Sequence, residues 1–150
     1  MNNTYKITTR NDEETIEVAQ NLESEKFPNM VICLNGDLGS GKTVFTKGFA
    51  SAMAIAEVTS PTFNIIKEYV GELPLYHIDV YRTNGKIDNL GIEEYFDKGG
   101  VTIIEWAEMI EDYLPEERLD ITFKITGENS RIMVITPHGE KYVRVCEDAL

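Results

Sequence analysis

One stretch constrains this chain more than any other: Val31-Ile-Cys-Leu-Asn-Gly36-Asp-Leu-Gly-Ser-Gly41-Lys42-Thr43. A short apolar run, Val31 to Leu34, reads as a buried strand. It breaks into a glycine-rich turn, after which Val44 to Met53 reads as a helix. Gly36, Gly41, Lys42 and Thr43 fit the phosphate-binding pattern G-x-x-x-x-G-K-[ST] at every fixed position. The spacing explains the chemistry. Gly36, Gly39 and Gly41 permit backbone angles and close approaches that a Cβ blocks. The N–H groups of the loop can then face inward as a nest for phosphate oxygens. The helix that follows presents unpaired N–H groups and its positive dipole end to the same anion. Lys42 reaches the outer phosphates, and the Thr43 hydroxyl suits Mg²⁺. A bare pattern occurs by chance, but a strand before it and a helix after it are what this mechanism requires.

The rest of the chain reads as one α/β domain, residues 1–150, with a mixed sheet. Tyr5 to Thr9 alternates as a short edge strand, and Asn11 or Asp12 caps a helix with Glu13 and Glu14 in its first turn. Phe63 to Val70 and Leu73 to Tyr81 flank Gly71-Glu72 as an antiparallel hairpin. Leu90 to Phe96 reads as a short helix and Val101 to Glu105 as another buried strand. Arg118 to Ile125 and Arg131 to Thr136 form a final hairpin, Pro137-His-Gly139 a turn, and the tail a helix.

Composition excludes several classes. No apolar run approaches the roughly 18 residues of a membrane span, and the first residues lack a signal peptide's layout, so a cytoplasmic protein is expected. Cys33 and Cys146 form no metal-binding spacing, and no disulfide partner is expected. Cys33 reads as a small buried hydrophobe. The net charge of −12, from 26 acidic and 14 basic residues, argues against broad contact with a nucleic-acid backbone.

A phosphate loop needs a carboxylate near Mg²⁺. Asp79 and Glu105 each close an apolar run, where open α/β sheets place their ligands. Ser60-Pro61-Thr62 reads equally as a plain proline turn or as a switch-like loop whose hydroxyl senses the γ-phosphate. Trp106 suits either the core or a partner contact, His77 a structural role in its strand, and His138 an exposed turn. Asp88-Asn-Leu-Gly91 mimics a guanine-nucleotide motif but lies in a polar loop, and no N-K-x-D follows, so GTP specificity is unsupported.

Taken in order, Leu34-Asn-Gly-Asp-Leu-Gly-Ser-Gly-Lys-Thr43, Thr59-Ser-Pro-Thr-Phe63, Tyr76-His-Ile-Asp-Val-Tyr-Arg82 and Ile103-Ile-Glu-Trp-Ala-Glu108 resemble the TsaE family, formerly called YjeE or YdiB. The resemblance runs from about Tyr5 to Arg144, with no departure at a motif position. Its members are small bacterial P-loop ATPases of the machinery that installs N6-threonylcarbamoyl on adenosine in tRNA. It implies a single-domain P-loop NTPase whose mixed, largely central sheet is flanked by helices. Gly36, Asp37, Leu38, Gly39, Ser40, Gly41, Lys42 and Thr43 would bind the ATP phosphates, with Thr43 also on Mg²⁺. Thr62 would sit in the switch-like loop. Asp79 and Glu105 would be the acidic partners of Mg²⁺ and the attacking water, in an order the resemblance leaves open. Thr9 and Asn11, within the stretch Thr8 to Asp12, and Arg131 would lie near the adenine or ribose. Trp106 and Tyr81-Arg82 would lie near the site or a partner surface. The implied partners are TsaD and TsaB, whose complex ATP hydrolysis would reset, with tRNA contact indirect or local. On residues alone, a small-molecule kinase and a nucleotide-gated binding module use the same loop.

Overall fold

The computed structural model describes residues 4–58, 65–88 and 90–150. Seven strands form one mixed sheet: β1 (Tyr5–Thr9), β2 (Val31–Gly36), β3 (Ile66–Tyr69), β4 (Leu75–Asp79), β5 (Val101–Glu105), β6 (Arg118–Ile125) and β7 (Arg131–His138). Their spatial order is β1-β7-β6-β2-β5-β4-β3. Three α-helices, α1 (Asp12–Glu23), α2 (Lys42–Ala52) and α3 (Glu140–Ala149), accompany 3-10 turns at Tyr81–Thr83, Ile92–Asp97 and Ala107–Tyr113. The expected α/β fold with a mixed sheet flanked by helices is the observed one.

Burial patterns explain the layout. Val31 to Leu34 and all of β5 are buried without alternation, as parallel strands covered on both faces must be. β2 pairs in parallel with both β5 and β6, and β4 pairs in parallel with β5. β6 alternates between buried and partly exposed residues and pairs antiparallel with β7, which carries β1 at the sheet edge. One face buries Leu22, Ile32, Leu34, Phe45, Phe49 and Ile103 with residues of all three α-helices. The other buries Val31, Cys33, Ile78 and Ile104 with residues of the 3-10 turns.

Three local expectations change. The run from Leu90 to Phe96 is a 3-10 turn over Ile92–Asp97, entered through Gly91 in the left-handed region, and not an α-helix. Pro137-His138 continues β7 where a turn was expected. Among the described residues β1 pairs with β7 only as far as Ile135, so Pro137 gives up no ladder bond to β1 there. His138 is accordingly half-buried, its Nε2 2.8 Å from Asp120 Oδ2, and does not stand exposed. The first hairpin is seen as β3–β4, with Phe63 and Asn64 outside the described residues. Among the described residues, no helix is long and apolar enough to cross a membrane.

Sheet register is what assembles a site. Leu34 of β2 and Asp79 of β4 both align with Glu105 of β5. The loop after β2 and two carboxylates therefore emerge at one edge, the carboxyl end of the parallel strands.

Candidate functional site

The loop from Gly36 to Gly41 takes its shape from glycines in the left-handed region. Gly36 has φ +141°, and a Cβ there would lie 2.7 Å from the Phe123 carbonyl oxygen. Gly41, at φ +113°, caps α2 without a side-chain hydrogen bond. The first N–H groups of α2 thus have no side-chain cap and remain available to an anion. Glu108 braces the loop from the β5 side by accepting the Gly36 N–H at 3.1 Å.

Lys42 is buried. Its ammonium donates to the Gly36 and Asp37 carbonyls and lies 3.9 Å from the centre of the Trp106 ring. Burial pulls its pKa below the ordinary lysine value, against the opposing charges of Glu105, Glu108, Asp79 and Asp37. The next residue, Thr43, donates its hydroxyl to Glu105 Oε1 at 3.1 Å. The other oxygen of Glu105, Oε2, meets His77 Nε2 at 2.5 Å. One buried carboxylate therefore spans α2 and β4.

Asp79 Oδ1 accepts the Tyr81 N–H at 3.0 Å. Burial raises the Asp79 pKa, and the Glu105 charge adds to the rise, while the Tyr81 N–H and Lys42 oppose it. Trp106 follows Glu105 directly with φ +64°, a left-handed conformation that costs a bulky residue energy. The turn lays its ring 4.5 Å from that of Tyr81, centre to centre, and against Lys42.

These groups surround a cavity of about 530 Å³, within the range of small-molecule sites. Leu38 to Val44, Asp79, Tyr81, Arg82, Glu105, Trp106 and Arg131 line it. Gly36 and Asp37 stand at the base of the loop, where their carbonyls hold Lys42. The Arg131 guanidinium joins the β6–β7 hairpin to the loop, donating to the Gly39 carbonyl at 3.1 Å and the Ser130 carbonyl at 2.8 Å. Thr9 and Asn11 stand next to the cavity lining: the Thr15 hydroxyl donates to Thr9 Oγ1, and Asn11, beside Asp12, caps α1 by accepting the Glu14 N–H. Asp12 and Thr15 are the α1 residues that line the cavity. Thr62 lies outside the described residues.

Sequence reasoning missed two residues of this arrangement. His77, expected only to play a structural role in its strand, is bonded to Glu105. Its signal was parity: two positions before Asp79 in a strand, it shares that residue's face. Glu108 carried no local signal for its bond to the loop.

The family model described as threonylcarbamoyl adenosine biosynthesis protein TsaE matches residues 9–133. This chain belongs to the TsaE family. A Bacillus subtilis (strain 168) member, tRNA threonylcarbamoyladenosine biosynthesis protein TsaE, is 48% identical over 145 residues, 95% of this chain and 92% of that one. A member of the same name from Treponema pallidum (strain Nichols) is 39% identical over 108 residues, 70% of this chain and 80% of that one. The crystal structure of Bacillus subtilis YdiB superimposes with a TM-score of 0.88 at 45% identity, covering 99% of this chain and 95% of that one.

Proposed function

We propose that this TsaE-family protein is the ATP-binding and ATP-hydrolysing subunit of the tRNA N6-threonylcarbamoyladenosine machinery, acting on a complex of TsaD and TsaB. The names of the relatives support the pathway. The observation that carries the chemistry is the Thr43–Glu105 bond, set beside a phosphate loop whose helix start has no side-chain cap.

The donor set fits Mg²⁺. Among the described residues no cluster of three His, Cys, Asp or Glu side chains forms a cage. Mg²⁺ prefers one or two carboxylates, with phosphates and water completing its shell. Thr43 and Glu105 would hold it, with Asp79 nearby, and it would neutralise charge on the β- and γ-phosphates. The loop N–H groups and the start of α2 grip the triphosphate tail. Lys42 exchanges the Gly36 and Asp37 carbonyls for phosphate oxygens. Asp79, whose raised pKa favours taking up a proton, orients the attacking water. Arg131 and the α1 residues Asp12 and Thr15 face the nucleoside, and Thr62 senses the γ-phosphate. Hydrolysis is slow until a partner completes the site, and it resets the complex between turnovers.

Calorimetry tests the core of this proposal. ATP with Mg²⁺ should bind the purified protein, and Lys42→Ala should abolish binding while leaving the circular dichroism spectrum unchanged. A wild-type protein that gives no heat with ATP or ADP, with TsaD and TsaB present, would overturn it. Affinity capture with and without ATP should retain TsaD and TsaB only in the nucleotide-dependent arm.

A further inference from the structure

We infer that His77 is a positioning residue: through its Nε2 it holds the Glu105 carboxylate so that Oε1 faces Thr43 and the cavity. His77 is fully buried in β4, and its Nδ1 is one of two buried side-chain polar atoms without a partner among the described residues. That orphan decides the tautomer. A proton on Nδ1 would bury an unsatisfied N–H and leave two lone pairs facing each other between Nε2 and Oε2. A proton on Nε2 makes a charge-assisted bond to Glu105, and only a bare ring nitrogen is left unpaired. One carboxylate oxygen is thereby tied to β4 and the other to the first turn of α2, across 28 and 62 positions of sequence. Among the described residues Asp79 has no such brace: its Oδ1 accepts the backbone N–H of Tyr81, two residues on. His77 thus distinguishes the two carboxylates, making Glu105 the fixed one.

The assignment deepens the proposed function and rests on Thr43 and Glu105 facing the nucleotide. Its effects are therefore expected in magnesium coupling and turnover. His77→Met should remove the Mg²⁺-dependent part of ATP affinity and lower kcat about 10- to 100-fold, the usual effect of losing such a supporting hydrogen bond. Its affinity for ATP without Mg²⁺ should stay unchanged. His77→Gln places an amide N–H close to Nε2 and should restore most of both losses, which a residue that merely fills space would not produce.

The deciding measurement needs no nucleotide. The chain has two histidines, so a long-range proton–nitrogen correlation spectrum of ligand-free protein resolves both rings, with His138 as internal reference. Nε2 of His77 should carry the proton and Nδ1 should be bare. A protonated Nδ1, a Met variant with wild-type magnesium coupling, or a Gln variant no better than Met would each overturn the inference. Should wild-type protein fail to bind ATP, the proposed function falls and the spectrum alone decides the tautomer and the Glu105 bond. Should His77→Met fail to fold, the Gln variant and the spectrum remain decisive.

Discussion

At the level of single residues, the site holds charges where the fold alone would not place them. Asp79 sits partly out of water beside Glu105, and its pKa is raised above the usual carboxylate value of 3.8. Between that value and the raised one, the folded chain binds more protons than the unfolded chain. Stability therefore falls as pH rises through that window, and the penalty is complete above it. Asp79→Asn keeps an acceptor for the Tyr81 N–H and removes the charge. It should raise the urea midpoint of ligand-free protein at neutral pH and end ATP turnover. The gain should vanish in acid, where Asp79 already holds its proton. An unchanged midpoint at neutral pH would show that the carboxylate is not strained there. This is the usual opposition of stability and function at an active site. It also marks what sequence could disclose. Gly36, Gly41, Lys42 and Thr43 are legible because their chemistry depends on spacing within one local loop. The partners of Glu105 are not, because strand register brings them together across the sheet.

Secondary structure was legible where one interaction dominates. The unbroken apolar runs of β2 and β5 announce strands covered on both faces, and the alternation in β6 and β7 announces half-covered ones. The end of β7 and the Ile92–Asp97 turn were less legible, because where β1 stops and how Gly91 turns are decided by neighbours and not by periodicity. The α1–α2 contact shows the same priority of packing over propensity. Gly48 lies inside α2, where alanine normally gains about 1 kcal/mol over glycine. Here an added Cβ would stand 2.9 Å from Ile16 Cα in α1, so the two helices would have to separate. Gly48→Ala should therefore destabilise the protein by about 1–3 kcal/mol, the usual cost of overpacking. Urea unfolding checks the sign, and a stabilised variant would show that the helices can part at little cost. Because α2 also carries Lys42 and Thr43, ATP affinity should weaken with stability.

Across the whole molecule, the sheet order brings residues far apart in the sequence to one cavity: Asp12 and Thr15 from the first helix, and Arg131 from the last strand, meet the loop after β2. Three of the chain's 14 basic residues, Lys42, Arg82 and Arg131, line this cavity, while the molecule carries 26 acidic residues. Binding to a nucleic-acid backbone draws most of its strength from Lys and Arg that replace counterions. With a net charge of −12, this protein should be repelled by tRNA at long range and reach it through partners. In gel retardation at physiological salt, the isolated protein should not retain tRNA, with or without ATP. Adding TsaD and TsaB should produce a retained species that contains all the components. Retention by the isolated protein that weakens steeply with added salt would place a tRNA-binding basic surface on this chain and contradict the indirect arrangement. Weak retention by the partners alone that strengthens when this protein and ATP join would fit an acidic ATPase docked on a nucleic-acid-binding complex.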